Sequence, residues 1–458
     1  MPIQELRLAR TPTELLACGA WRRPAVFDGG GPESWHSDLA VFVEAPRATL
    51  RIDASGTAHW TNNDAVRVLR DHHPLAVLDR FHAQHAEDAL DTSTVPFAGG
   101  LVAVLSYDLK QWIETLPCTA TDDQHLPIIE CAWYDWALLF DYRTRGWRLA
   151  SAFLPDDALH AVGRRIVDAA QHLPRLPTPV IGAISSNFSR AQYVAAVRRA
   201  LEYIAAGDIY QVNLAQRFSA DLGTESTAPL QLYTRLQQRH PMPFAAYLDC
   251  GDFTLVSNSP ECFLDLTAGR VATWPIKGTR PRAADNARDV AFAHALRTSP
   301  KEQAEHVMIV DLERNDLGRI CTAGSVVVDM FAAVESFPTV HHLVSEVHGR
   351  PRAGTCLSDI IRAVFPGGSI SGAPKIRAME IIDELEPVQR GFYTGAVGFL
   401  APDGTGVFNI PIRTAIARAG RLTYHAGGAI VADSDPDAEY DETLLKARAF
   451  FDACAAQG

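Results

Sequence analysis

The most regular apolar spacing in the chain begins after Ser189. Tyr193, Val197, Leu201 and Ile204 share one helical face, and Gly207 closes the run. Ser189 with Gln192 three residues on reads as a capping box, and Phe188 is placed to staple onto Tyr193. A second helix is announced by Ser299, with Pro300 at its first position and Glu302 at its third. A third follows Asp435-Pro436 and runs through LLKARAFFDACAA to the C-terminus. Between the first two, DIYQVNLAQRF alternates with the period of a strand, and FAAYLD, FTLVSN and ECFLDL read as further strands. Ahead of Ser189, residues 38–53 and 131–153 mix β-branched and aromatic residues with turn signals, as strands and hairpins do. PFAGGLVAVLSYDL (96–109) reads as a strand entered through a glycine turn, and helices are expected near 73–89 and 156–172.

The clearest break is 173–189, where Pro174, Pro177 and Pro179 forbid a regular element. It divides the chain into a mainly-sheet region, 1–175, and a second region, 188–458. Strands and helices in mixed order, without βαβα alternation, predict an α+β fold. No internal repeat or low-complexity tract interrupts it.

Composition narrows the function. With 458 residues, 47% of them apolar, the chain can bury large cores. Asp and Glu outnumber Lys and Arg by 54 to 42, a net charge of −12, and no basic block stands out. That argues against nucleic acid as a partner. An anionic substrate then has to be met by a local cluster of cations or by a metal. No run approaches the ~18 apolar residues of a membrane span, and the N-terminus carries no apolar signal core. The eight cysteines are dispersed without C-x-x-C spacing, as expected of reduced thiols in a cytoplasmic protein.

Four segments are too dense in glycine, charge and turns for ordinary packing: WPIKGTRPR (274–282), AEHVMIVDLERNDLG (304–318), FPGGSISGAPKIRAME (365–380) and HAGGAIVADSDPDAEYDET (425–443). Lys277, between Ile276 and Gly278, reads either as a surface lysine in a turn or as a nucleophile. The second reading requires burial, or the neighbouring Arg280 and Arg282, to lower its pKa from the usual ~10.4. Glu302 and Glu305 share a face of the second helix, and Glu439 and Glu442 of the third. Two such pairs facing one another suit a hard cation such as Mg²⁺; alternatively Glu302 only caps its helix and Glu442 pairs with Lys446. Gly367-Gly368-Ser369 and Gly427-Gly428 read as tight turns or as a nest of free N–H groups for a carboxylate. Arg413, in the strand-like context FNIPIRTAI, is a half-buried arginine in need of an anionic partner. Glu261 and His342 are candidates for acid–base work.

Taken together, these segments resemble the chorismate-utilising enzymes, the family of the anthranilate, aminodeoxychorismate, isochorismate and salicylate synthases. The resemblance spans residues ~188–455 through GDIYQVNLAQRF, SPECF, PIKGTRPR, AEHVMIVDLERNDLGR, HHLVS, FPGGSISGAPKIRAMEII, YTGAVGF, PIRTA and GGAIVADSDPDAEYDET. It implies an α+β sandwich built around large antiparallel sheets with flanking helices. Gln211 stands where isochorismate and salicylate synthases resemble one another in carrying a water-activating lysine, so water addition is not expected. Lys277 stands where anthranilate synthases typically have alanine, and PIKGT resembles the aminodeoxychorismate synthase component I branch.

That branch implies a transferase acting on chorismate and ammonia. The amine of Lys277 would attack C2 as the C4 hydroxyl leaves, and ammonia would then displace the lysine at C4. The product would be 4-amino-4-deoxychorismate, on the route to p-aminobenzoate and folate. Glu261 would protonate the leaving hydroxyl. The resemblance also implies Mg²⁺ on Glu305 and Glu442, supported by Glu302 and Glu439. Substrate would be held by Gly278, Thr279, Tyr393, Arg413, Gly427, Gly428 and Ala429, with His342 near the ring. No glutaminase nucleophile motif is apparent, so ammonia would come from a partner glutamine amidotransferase subunit. The alternatives are an anthranilate synthase component I, or a non-catalytic subunit that docks the amidotransferase. In the anthranilate branch tryptophan binds near a segment like HPMPFAAY, but Phe244-Ala245 here replace the usual Tyr-Met, which disfavours that regulation.

Overall fold

The helix expected after Ser189 forms as Arg190–Ala206, with both capping-box hydrogen bonds in place and Gly207 at φ +83°. Tyr193 and Val197 are fully buried, and the rings of Phe188 and Tyr193 meet at 5.7 Å. Pro74–Ala86, Asp156–Ala170, Pro300–Gly318 and Pro436–Cys454 form where helices were expected. Pro12–Cys18, Ala228–Arg239, Asn286–Thr298, Leu357–Val364 and Lys375–Leu385 are helices that the apolar spacing did not announce. The computed structural model describes residues 1–30, 38–62, 65–90, 95–174, 176, 181–223, 227–267, 269–337 and 340–455.

Two twelve-stranded sheets, with every strand pairing antiparallel, form the body of the protein. One runs from Ile3–Leu6 through Leu39–Val43, Ala25–Asp28, Phe244–Asp249, Phe253–Ser259, Thr414–Arg418 and Arg421–Ile430 to Gln211–Asp221. The other runs from Ile276–Pro281 through Val340–Gly349, Arg270–Thr273, Cys262–Thr267, Gly406–Asn409, Ala396–Leu400, Gly100–Leu105 and Ile129–Tyr134 to Ala65–Leu69. Neither sheet observes the break at 173–189. Val26 pairs with Tyr247 in the first, and Val102 with Phe399 in the second, each joining a strand from before the break to one from after it. Of the three prolines that marked the break, Pro177 and Pro179 lie outside the described residues.

The sheets stack face to face on Val41, Val43, Leu248, Leu255, Val102, Val104 and Val397. Helices cover the outer faces: Pro74–Ala86, Pro300–Gly318 and Leu357–Val364 on one side, and Asp156–Ala170, Ala228–Arg239 and Pro436–Cys454 on the other. A sheet covered on both faces is apolar throughout, which is why Gly100–Leu105 and Ile129–Tyr134 are buried at every position rather than alternating. This is an α+β sandwich of large antiparallel sheets, as expected. The chemistry-bearing segments converge where Ile276–Pro281, the turn after Phe253–Ser259, the open end of Arg421–Ile430 and the helices Pro300–Gly318 and Pro436–Cys454 come together.

Candidate active site

Lys277 owes its orientation to a bulge. Along the pairing of Ile276–Pro281 with Val340–Gly349, Lys277 lies opposite Leu343 and Thr279 opposite His342, so Gly278 is left unpaired. Gly278 takes φ +68°, and a Cβ there would stand 2.8 Å from Glu302 Oε2 and 2.8 Å from Leu296 Cδ1. Glycine is therefore required twice, by its backbone and by its neighbours. Lys277 as a residue is half-buried, while its amine is enclosed by protein and donates to the Ser369 carbonyl at 3.1 Å. Burial lowers its pKa, and Lys446 pushes the same way; Glu261, Glu305 and Glu442 oppose them.

Glu261 is buried, and its Oε1 accepts from the Ser369 hydroxyl at 2.6 Å. Burial raises its pKa against that hydrogen bond and the charges of Lys277 and Lys446. A carboxyl whose proton affinity is raised and a lysine whose proton affinity is lowered thus share one residue, Ser369, as a common partner. That is the pairing an acid and a nucleophile need near neutral pH. His342 Nδ1 lies 3.0 Å from the Gly278 carbonyl and 3.1 Å from Thr279 Oγ1. Because a carbonyl only accepts, the ring carries its proton on Nδ1. Burial lowers its pKa to about 4. His342 is therefore a neutral ring that braces the bulge, and a weak base.

Arg413 follows Gly406–Asn409 in the loop before Thr414–Arg418, at φ +50°, rather than within a strand as its apolar context suggested. Among the described residues no carboxylate lies within ion-pair distance of its guanidinium; its recorded side-chain contact is Met242 Sδ at 3.8 Å. Burial lowers its pKa. A desolvated guanidinium without an anion is a built receptor for a ligand carboxylate. Tyr393, buried and stacked on His425 at 5.0 Å, lies within electrostatic reach of Glu261, and burial raises its pKa to about 12.

The glycine pairs correct one expectation. Gly427, Gly428 and Ala429 form no nest: they are extended residues of Arg421–Ile430, opposite Ala215, Leu214 and Asn213. The neighbouring strand on the other side stops pairing at Tyr424, so among the described residues the alternate backbone N–H groups beyond it have no ladder partner on that side. A Cβ on Gly427 would stand 2.5 Å from the Leu214 carbonyl, and one on Gly428 would stand 3.0 Å from Glu439 Oε2. Gly367 and Gly368 likewise have ordinary φ; Gly368 opens a short turn, Gly368–Ile370, packed against Leu312.

The four glutamates lie on the two helices, and three of them have taken partners of their own. Glu302 does not close a capping box: Ser299 accepts from its backbone N–H, while its carboxylate turns to Arg280 at 3.0 Å. Glu439 accepts from Ser434 at 2.6 Å, and the exposed Glu442 pairs with Lys446 at 2.7 Å. Glu305 is half-buried, and its pKa is raised by burial and further by Glu302 and Glu442. The donor chemistry fits a hard divalent cation, since carboxylates that raise one another's proton affinity are relieved by added positive charge. Residue-type reasoning took Ser369 only as part of a glycine turn or nest, and Lys446 for a surface partner of Glu442. Its amine also donates to the Gly427 carbonyl at 2.9 Å.

A sequence model described as chorismate binding enzyme matches residues 32–452. The chain belongs to the chorismate-binding enzyme family. Aminodeoxychorismate synthase component 1 of Salmonella typhimurium is 41% identical over 412 residues, covering 89% of this chain and 87% of that protein. Anthranilate synthase component 1 of Thermus thermophilus is 43% identical over 365 residues, covering 78% of each. Among solved structures, anthranilate synthase component I from Streptococcus pneumoniae superposes with a TM-score of 0.79 at 30% identity, covering 91% of this chain and 93% of that one. This member of the family is thus an enzyme on the shared fold. No helix among its described residues is long and apolar enough to cross a membrane, and all eight of its cysteines are free thiols.

Proposed function

We propose that this chain is the chorismate-aminating component of an aminodeoxychorismate synthase. The observation that carries the reading is the junction of Lys277 and Glu261 on Ser369: a depressed amine and a raised carboxyl linked by a single residue. The similarity to aminodeoxychorismate synthase component 1 over about nine-tenths of the chain supports it. The similarity to anthranilate synthase component 1 keeps C2 amination as the second reading; an amine already standing at the PIKGT position favours the first.

In this reading chorismate enters with one carboxylate on Arg413, whose guanidinium pairs with no carboxylate among the described residues. The outward-facing N–H groups of the strand at Gly427 and Ala429, with Gly428 between them, together with Gly278 and Thr279, orient the rest, and Tyr393 covers the ring. Lys277, neutral, forms a bond from Nζ to C2. The ring double bond shifts, and the C4–O bond breaks as Glu261 delivers its proton to the departing hydroxyl, which leaves as water. The carboxylate so formed takes up a proton as ammonia bonds to C4 and the C2–Nζ bond breaks in the reverse sense. Lys277 returns to its free state, and the product is 4-amino-4-deoxychorismate. Mg²⁺ would be held by Glu305 and Glu442 with Glu302 and Glu439 in support, and when bound it neutralises a substrate carboxylate and the charge developing on the ring.

Ammonia would reach the site from a separate glutamine amidotransferase, and the dispersed free thiols suit a cytoplasmic location. The test is the purified chain with chorismate, Mg²⁺ and either ammonium or glutamine. Ammonium alone should yield the 4-amino product, and glutamine should serve only after an amidotransferase component is added. Formation of anthranilate as the main product would assign the chain to the second reading.

A further inference from the structure

Ser369, which links the two reacting side chains, is also held from outside the pair. The turn Gly368–Ile370 hangs from the middle of the helix Pro300–Gly318, through a hydrogen bond from the Gly368 N–H to Glu313 Oε1 at 3.1 Å. Glu313 is buried, 3% exposed, and no catalytic role in the scheme above uses it. The approach is close enough to demand glycine: a Cβ on Gly368 would stand 2.5 Å from Leu312 Cδ2 and 3.3 Å from Glu313 Oε1. The rest of the turn is tied by Asn213 Nδ2 to the Ser369 carbonyl at 2.9 Å and by Arg390 to the Ile370 carbonyl at 3.2 Å. Among the described residues Glu313 is thus the one ionisable anchor on the N–H side of Ser369.

We propose that Glu313 is a positioning residue, holding the Gly368–Ile370 turn where the Ser369 hydroxyl meets Glu261 and its carbonyl meets Lys277. The inference rests on the reading of Lys277 and Glu261 given above. The groups that face Glu313 are Asp316 on its own helix, Lys375 at the start of Lys375–Leu385, and Glu261 across the turn. Lys375 is committed to Asp316 at 2.5 Å and to the Val364 carbonyl at 3.1 Å. Burial raises the Glu313 pKa above the ordinary carboxylate range, Asp316 and Glu261 push it further, and Lys375 and the Gly368 N–H oppose them.

Two variants separate anchoring from charge. Glu313→Gln keeps an oxygen acceptor for the Gly368 N–H and removes the charge. Glu313→Leu removes both. With chorismate, Mg²⁺ and ammonium, kcat of Glu313→Leu should fall ~30-fold with KM within ~2-fold, because displacing a reacting group by a fraction of an ångström to 1 Å costs up to ~10²-fold. Glu313→Gln should lose only ~3-fold. The limb of its pH–rate profile that reports loss of the Glu261 proton should stay at its wild-type position, because burial, the Ser369 hydroxyl, Lys277 and Lys446 set the Glu261 pKa.

A readout free of turnover accompanies this: acetylation of Lys277 by limiting acetic anhydride, followed by peptide mass spectrometry. Its rate should change several-fold in Glu313→Leu and little in Glu313→Gln. If both variants keep the wild-type kcat and Lys277 labelling, the positioning role is overturned. If the wild type fails to aminate chorismate while Lys277 labelling still separates the two variants, the functional reading falls and the positioning role stands.

Discussion

Replacing Gly278 by alanine strains the bulge that aims Lys277, and the size of the effect follows from two distances and an angle. At φ +68° a side-chain-bearing residue costs ~1–2 kcal/mol relative to its preferred conformation. The added Cβ would stand 2.8 Å from both Glu302 Oε2 and Leu296 Cδ1, an overpacking worth ~1–3 kcal/mol. Glu302 is flexible and can yield, so the lower half of that range applies and the sum is ~2–4 kcal/mol. At ~2.1 cal/mol/K of unfolding entropy per residue, 458 residues give ~1 kcal/mol/K, hence a fall in Tm of ~2–4 °C. Stabilities of ~5–15 kcal/mol leave the variant folded. Relief of the strain displaces Lys277, and 1 Å at a reacting atom costs ~10²-fold in kcat. Calorimetry and steady-state kinetics with ammonium read the two effects. A Gly278→Ala protein with wild-type Tm and wild-type kcat would refute the argument that the bulge sets the lysine.

Three further outcomes follow from the same geometry. Arg413→Ala removes a charge-assisted contact worth ~1.5–3 kcal/mol, so KM for chorismate should rise ~10–100-fold with a much smaller fall in kcat; an unchanged KM would remove Arg413 from the substrate site. Glu305→Gln and Glu442→Gln should each nearly abolish turnover while far-UV circular dichroism stays native, and full activity of both at limiting Mg²⁺ would dismiss them as metal ligands. Rate should rise with pH as Lys277 loses its proton below the usual lysine range, then fall as Glu261 loses its own above the usual carboxylate range. Because the Ser369 hydroxyl lowers the Glu261 pKa, Ser369→Ala should move the falling limb to higher pH; a limb that stays put would mean that Glu261 is not the acid.

What could be read from the sequence was what neighbours in the chain decide. The capping box at Ser189 and Gln192 is complete because both partners lie within one turn, and the same holds for Gly207 at the helix end. Glu302 carries the same local signature, yet its carboxylate serves Arg280 from another element, a choice no local pattern records. Three prolines mark the break at 173–189, but strand pairing is decided by surfaces distant in sequence: both sheets cross it, and Ser185–Ser186 within it pairs with Gln211–Asp221. Gly427 and Gly428 read as a tight turn or a nest from the glycine pair alone; here they thin a strand so that Leu214 and Glu439 can approach. Ser369 carried no signal of its own. Its importance comes from where the turn is hung, and only the packing of Gly368 on Leu312 and Glu313 shows that.

The central claim is that one amine, Lys277, directs the incoming nitrogen to C4 of chorismate. The most direct measurement is the position of ¹⁵N in the product made from ¹⁵N-ammonium, chorismate and Mg²⁺, by the wild type and by Lys277→Ala. The account predicts label at C4 from the wild type. Lys277→Ala should lose that product, with any residual amination at C2, since Glu261, Arg413 and the four glutamates remain. Label at C4 at the wild-type rate from Lys277→Ala, or label at C2 from the wild type, would contradict it.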